Sequence, residues 1–226
     1  MAGMKFDDPL TGGDIPAATR ARAERPGKIV CIGRNYREHA KELGNDVPAE
    51  PLFFLKPSTS LIRDGEPILL PPQSERVEFE GEIGIVIGSL LTKASEADAL
   101  NAIRGIVALN DVTARDLQKK DSQWTRAKGF DSFCPVGEIA ASVDDLAALT
   151  VVTRVNGAER QRASAGEMVF AIPFLLSYVS HVMTLEPGDI LATGTPAGVG
   201  PLSDGDVVEV EIEGFSKVSN PVRRLA

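Results

Sequence analysis

Histidine, cysteine, tryptophan and tyrosine are scarce in this sequence: two histidines, two cysteines, one tryptophan and two tyrosines. Each shortage removes a class of function. Cys31 and Cys134 stand in apolar or aromatic surroundings without CxxC spacing, which argues against a disulfide framework or a zinc knuckle and predicts two buried thiols. There is no GxSxG elbow and no cysteine beside a histidine, so a covalent hydrolase is disfavoured. Basic runs are short, Lys119-Lys120 and Arg223-Arg224, and the net charge is -8, a balance unsuited to neutralising a row of nucleic-acid phosphates. The longest apolar run, MVFAIPFLLSYVSHVM at 168–183, falls short of the ~20 residues that span a bilayer and contains Pro173 and His181. It predicts a buried helix, drawn here over about 165–183, with no membrane partner and with His181 as a buried structural residue. Residues 1–27 lack the apolar core of a signal peptide and are rich in Gly, Pro and charge. They are read as a weakly structured extension, and a cytoplasmic location is expected.

What remains is the composition of an ordinary globular protein, 43% hydrophobic and 25% charged, with no low-complexity run and no obvious linker. One catalytic domain over 28–226, mostly β with a few helices, is the simplest account. KIVCIG predicts a short buried strand, and RNYREHAKELG a helix that Gly44 ends. EPLFFLKPS places Lys56 at a strand tip facing a cleft, and Ser95 caps a surface helix in SEADALNAIRG. IVALNDVTARDLQ turns from strand to helix, leaving Asp111 at the strand end and Thr113 as the expected N-cap. The polar segment KKDSQWTRAKGFDSFCPVG at 119–137, with the sole tryptophan, reads as a loop that lines or covers something. LTVVTRVNGAER carries the Asn-Gly hairpin signal. TGTPAGVG lacks both the Lys-Ser/Thr ending of a Walker loop and the GxGxxG order of a dinucleotide fold, so no nucleotide is assigned to it.

The chemistry gathers in two places. ERVEFEGEIGIVIG reads as one strand over 75–88 with Glu78, Glu80 and Glu82 on one face and Val77, Phe79, Ile83 and Ile85 on the other. Three like charges about 7 Å apart call for a cation. A hard divalent ion held by carboxylates is one answer; a solvated face on an edge strand is the other, and the residue types leave both open. Glu209, Glu211 and Glu213 alternate equally well without functional-looking loops nearby, and there the solvated face is preferred. His39 and Glu42, three apart on a helix, share a face, so the carboxylate can orient the imidazole as a general base.

Six blocks in order, IGRNYREHAKE, FLKPST, EFEGEIGIVIG, NDVTARDLQ, WTRAKGFDSFCPVG and GDILATGTPAGVGPL, resemble the fumarylacetoacetate hydrolase family from about residue 28 to near the C-terminus. The resemblance implies that family's mixed β-sandwich roll in an α+β, mostly β fold, in the short form without a separate N-terminal domain, and usually a homodimer. It implies Mg2+ or Mn2+, with Ca2+ as a substitute in crystals, on Glu80, Glu82 and Asp111; Glu78 falls outside the match. The dyad falls on His39 and Glu42 and the catalytic lysine on Lys128. Arg34, Asn35, Gln118 and Thr193 are the expected substrate contacts.

The branch it most resembles, acylpyruvases and oxaloacetate decarboxylases, implies a small-molecule keto acid as substrate. The leading expectation is hydrolytic C–C cleavage of a 2,4-diketo acid, with His39 activating water and Lys128 stabilising the pyruvate enolate. The alternatives are an oxaloacetate decarboxylase or tautomerase, or an isomerase or decarboxylase of the 2-hydroxyhepta-2,4-diene-1,7-dioate type in aromatic degradation. A silent binding protein would have no chemical need for all six catalytic and metal-site residues.

Overall fold

The computed structural model describes residues 25–42, 44, 46–141 and 144–225. The extension expected at 1–27 lies outside the described residues except at 25–27. Fifteen strands and five helices are described: β1 (Ile29–Gly33), α1 (Arg37–Glu42), β2 (Leu52–Lys56), β3 (Leu61–Ile62), β4 (Ile68–Leu70), β5 (Val77–Phe79), β6 (Gly81–Ile87), α2 (Glu96–Asn101), β7 (Ile103–Asn110), β8 (Thr113–Ala114), α3 (Arg115–Lys120), α4 (Thr125–Lys128), β9 (Cys134–Pro135), β10 (Thr150–Val155), β11 (Ala158–Ser164), α5 (Ile172–Val182), β12 (Ile190–Ala192), β13 (Gly200–Pro201), β14 (Val207–Ile212) and β15 (Ser216–Arg224).

Two five-stranded sheets, β2-β1-β12-β6-β7 and β11-β10-β14-β15-β4, form the roll, with smaller sheets β13-β5-β8 and β3-β9 beside them. The main core lies between the large sheets and under α5. Ile83, Ile85 and Ile87 of β6 meet Val151 of β10, Val210 and Ile212 of β14, and Leu175, Leu176 and Val179 of α5, all buried. The other face of the first sheet buries Ile29, Cys31, Val107 and Leu109 against Cys134 and Val136. Both cysteines are thus buried thiols, and burial pushes both pKa values up.

Local signals account for several boundaries. Asn156 and Gly157 both take positive φ, 52° and 78°, the pair a type I′ turn between β10 and β11 requires. Ser95 accepts the Asp98 N–H at 3.2 Å and caps α2, and Gly44 sits at φ 68° just beyond α1.

Other expectations need correction. The strand drawn over 75–88 is two strands: β5 pairs with β8 and β13, β6 pairs with β12 and β7, and Glu80 lies at the break. Glu78, Glu80 and Glu82 are all buried, so the solvated edge reading fails. Thr113 is in β8, and Ala114 precedes α3 without a side-chain cap; the Thr113 hydroxyl donates instead to the Asp111 carbonyl at 2.8 Å. The segment read as a loop at 119–137 contains the end of α3, all of α4 and β9. The helix drawn over 165–183 begins only at Ile172, with Pro173 in its first turn and a single 3-10 turn, Ala165–Glu167, ahead of it. His181 is exposed and bonds the Ser177 carbonyl, 2.9 Å away, because helical phase turns it from the buried stripe of Leu175, Leu176 and Val179.

Gly81 sets how closely the sheets approach at the break. A Cβ there would meet Thr153 Oγ1 of β10 at 1.9 Å. Gly81→Ala is therefore expected to cost about 1–3 kcal/mol in denaturant unfolding, by overpacking. Adding Thr153→Ala, which removes the clashing hydroxyl, should recover most of that loss.

Candidate functional site

The break at Glu80 aims three carboxylates inward. Oxygens of Glu80, Glu82 and Asp111 lie within 4.8 Å of one another, and all three residues are buried. Asp111 follows β7, and its backbone N–H donates to the Glu80 carbonyl at 2.8 Å, which ties the two ligand segments together. The Glu80 N–H in turn donates to Asn110 Oδ1 at 2.9 Å.

Protein cations crowd this cluster. Lys128 Nζ donates to Glu80 Oε2 and to Asp111 Oδ2, each at 2.7 Å, and Lys56 Nζ donates to Asp111 Oδ1 at 2.7 Å. Arg115 is forked three ways: Nε to Glu78 Oε2 at 2.6 Å, Nη2 to Glu80 Oε1 at 2.5 Å and Nη1 to Gln118 Oε1 at 2.5 Å. Burial alone would raise Glu80, but Lys128 and Arg115 outweigh it and hold its carboxyl well below the usual range. Glu82 goes the other way. Burial, reinforced by Asp111 and Glu80, pushes it well above the ordinary value, and its Oε2 accepts the Gly194 N–H at 2.8 Å. For Lys128, burial opposes the charge, but Asp111 and Glu80 prevail and keep it an ammonium.

Hard oxygen donors, packed until one resists ionisation, fit a hard divalent cation. Glu80, Glu82 and Asp111 are the residues that would hold it. Among the described residues no other group of three His, Cys, Asp or Glu side chains approaches this closely. Glu209 and Glu211 are spent on Arg154 and Lys217, and Glu213 on Arg162, in a surface ion-pair lattice.

The dyad stands on the wall of a cavity of about 470 Å³ that Glu80 also lines. His39 Nδ1 is 3.3 Å from Glu42 Oε2, and both Glu42 oxygens accept the Gly198 N–H at 3.1 and 3.2 Å. The TGTPAGVG loop thus turns its backbone donors to carboxylates of the site, Gly194 to Glu82 and Gly198 to Glu42. Its glycines are required: φ is 99° and 102°, and a Cβ at Gly198 would lie 2.1 Å from the Arg160 carbonyl oxygen.

The substrate contacts expected from the resemblance separate. Arg34, half-buried and at φ 59°, and Gln118 line the cavity. Asn35 and Thr193 are not among its lining residues. Asn35 ties Phe170 and the Thr193 carbonyl together, and the Thr193 hydroxyl donates to the Ile83 carbonyl at 2.9 Å. Three charged residues gained their place only from the structure: Arg115, Arg76 and, as the anchor of Asp111, Lys56. Arg76 was legible in principle, since it shares a strand face with Glu78.

Residues 28–223 match the model of the fumarylacetoacetate (FAA) hydrolase C-terminal family. The chain belongs to that family. It is 41% identical over 202 residues to the mitochondrial oxaloacetate tautomerase FAHD1 of Mus musculus, covering 87% of this chain and 91% of the relative. The crystal structure of 2-hydroxyhepta-2,4-diene-1,7-dioate isomerase from Mycobacterium marinum superposes with TM-score 0.81 at 48% identity, over 88% of this chain and 75% of that one. The 5-carboxymethyl-2-hydroxymuconate delta-isomerase of Mycobacterium smegmatis gives 0.83 at 44%, over 89% and 80%. The mostly β fold expected from the sequence is the fold of these neighbours.

Burial lowers the pKa of His39, and the opposing pull of Glu80 and of the Glu42 hydrogen bond does not restore it to 6.5. His39 is expected to titrate below 6.5 in an NMR pH series. Glu42→Gln, which removes a raising contribution, should move it lower still. Because the folded pKa is the lower one, the unfolded chain takes up the proton first. This residue's contribution to stability therefore falls as pH drops from 6.5 towards its folded pKa.

Proposed function

We propose that the protein is a divalent-metal-dependent tautomerase of 2-keto dicarboxylic acids, with oxaloacetate as its substrate. The observation that carries this reading is a buried, carboxylate-oriented imidazole on the same cavity wall as Glu80 of the acidic triad. The names of its relatives point the same way: one is a tautomerase of oxaloacetate, the other two are isomerases, and one of those acts on a 1,7-dioate. Hydrolysis of an acylpyruvate, the leading expectation from the sequence, becomes the second reading. It keeps support from the His39–Glu42 geometry, which suits deprotonation of water equally well.

A divalent ion on Glu80, Glu82 and Asp111 would supply Lewis-acid polarisation of the 2-keto group. The remaining work belongs to the chain. Glu42 accepts from Nδ1 of His39 and leaves Nε2 as the free base. In the enol-to-keto direction Nε2 takes the enol O–H proton, the C2–O bond closes to a carbonyl, and the C2=C3 pair moves to C3. The imidazolium then returns the proton to C3. Lys128 has two of its three N–H donors on Glu80 and Asp111, leaving the third for the oxygen that carries charge in between.

Following the decay of the oxaloacetate enol absorbance tests this reading. Activity should vanish with EDTA and return with Mg2+ or Mn2+, and His39→Asn should slow turnover about 10²–10⁴-fold. Pyruvate release from acetylpyruvate, faster than oxaloacetate enol decay, would favour hydrolysis instead.

A further inference from the structure

Glu78 has no role in the metal site that the resemblance implies, is 2% exposed, and is not one of the three grouped carboxylates, so its burial needs a separate reason. Its two oxygens hold two guanidiniums: Oε1 accepts from Arg76 Nε and Oε2 from Arg115 Nε, both at 2.6 Å. The two arginines differ in what they have left. Arg115 is buried and commits its other nitrogens to Gln118 and Glu80. Arg76 has a 58% exposed side chain, lines the same cavity, and among the described residues its Nη groups make no hydrogen bond.

We propose that Arg76, aimed by Glu78, receives the second carboxylate of the substrate, so that the cavity selects 2-keto dicarboxylates over 2-keto acids with uncharged tails. The proposal rests on the reading that the keto-acid end is handled at Glu80 and His39. Arg76, Glu78 and Glu80 alternate onto one face of an extended segment, so Arg76 starts about 13 Å from Glu80 along the chain. Glu80 and Glu78 are both buried whereas the Arg76 side chain is exposed, which places its free guanidinium edge on the solvent side of the row.

The electrostatics favour an incoming anion. Apart from His39, the charged residues lining the cavity are four cations, Arg34, Arg76, Arg115 and Lys119, against three carboxylates, Glu42, Glu78 and Glu80. The paired Nη donors present the planar fork that binds a carboxylate bidentately. With Nε already fixed by Glu78, less side-chain freedom remains to be lost on binding. An uncharged tail would meet the same fork and gain no charge-assisted bond.

The test compares oxaloacetate with its 4-methyl ester, which keeps the keto-acid end and removes the distal charge, on the Mg2+-loaded protein. The free acid should be preferred in kcat/KM. Arg76→Gln should lower the acid-to-ester ratio about ten- to hundredfold, chiefly through KM for the acid, and Arg76→Lys should recover part of it. Unchanged thermal unfolding confirms that the exposed position tolerates the change. A ratio unaffected by Arg76→Gln, or a wild type indifferent to the ester, overturns the proposal. If the wild type turns over neither compound, the tautomerase reading fails. Calorimetric binding of acid and ester to wild type and Arg76→Gln then decides the distal contact: equal affinities, or no binding of either, overturn it too.

Discussion

The site depends on an ionic lattice, buried except at its Arg76 end, in which carboxylates and cations alternate: Arg76, Glu78, Arg115, Glu80, Lys128, Asp111 and Lys56. Burying any one of these charges alone would cost several kcal/mol; linked, each meets at least one opposite charge at 2.5–2.7 Å. Removing one partner therefore costs more than the bond it makes, because the others remain buried and unpaired. The lattice runs through residues from four parts of the chain, around 56, 76–80, 111–115 and 128, and so binds together the elements that carry the ligands.

Glu82 stands apart from that lattice. Among the described residues no lysine or arginine bonds it, and its hydrogen-bond partner is a backbone N–H from the loop after β12. Burial first, then the neighbouring Asp111 and Glu80, raises its pKa, and a divalent ion bound there would supply the counter-charge that no direct ion pair gives it. The same loop holds Glu42, so one glycine-rich turn positions a carboxylate of the acidic triad and the carboxylate beside His39 together. A loop with the composition of a phosphate cradle serves the protein's own carboxylates, using the donor geometry that would otherwise meet an anion.

Much of this was legible locally. The Asn-Gly turn, the Ser95 cap and the His39–Glu42 spacing rest on interactions within a few residues, and the structure carries each. Reading 75–88 as one strand failed because alternation continues through Glu80 while the pairing partners change, from β8 and β13 to β12 and β7. The long helix failed at its start because an apolar run does not announce where Pro173 sets the first turn.

The sequence by itself determined the residue types, the spacing of the acidic row and of the dyad, and the ordered blocks that mark the family. Those depend on periodicity and on neighbours close in the chain. Tertiary structure alone decided which cation answers which carboxylate. Glu80 meets Lys128 across 48 residues and Glu42 meets Gly198 across 156, contacts that no local periodicity encodes. It also decided that the row of glutamates is buried, since burial is set by the sheets that close over β5 and β6 and by Gly81, which lets them approach.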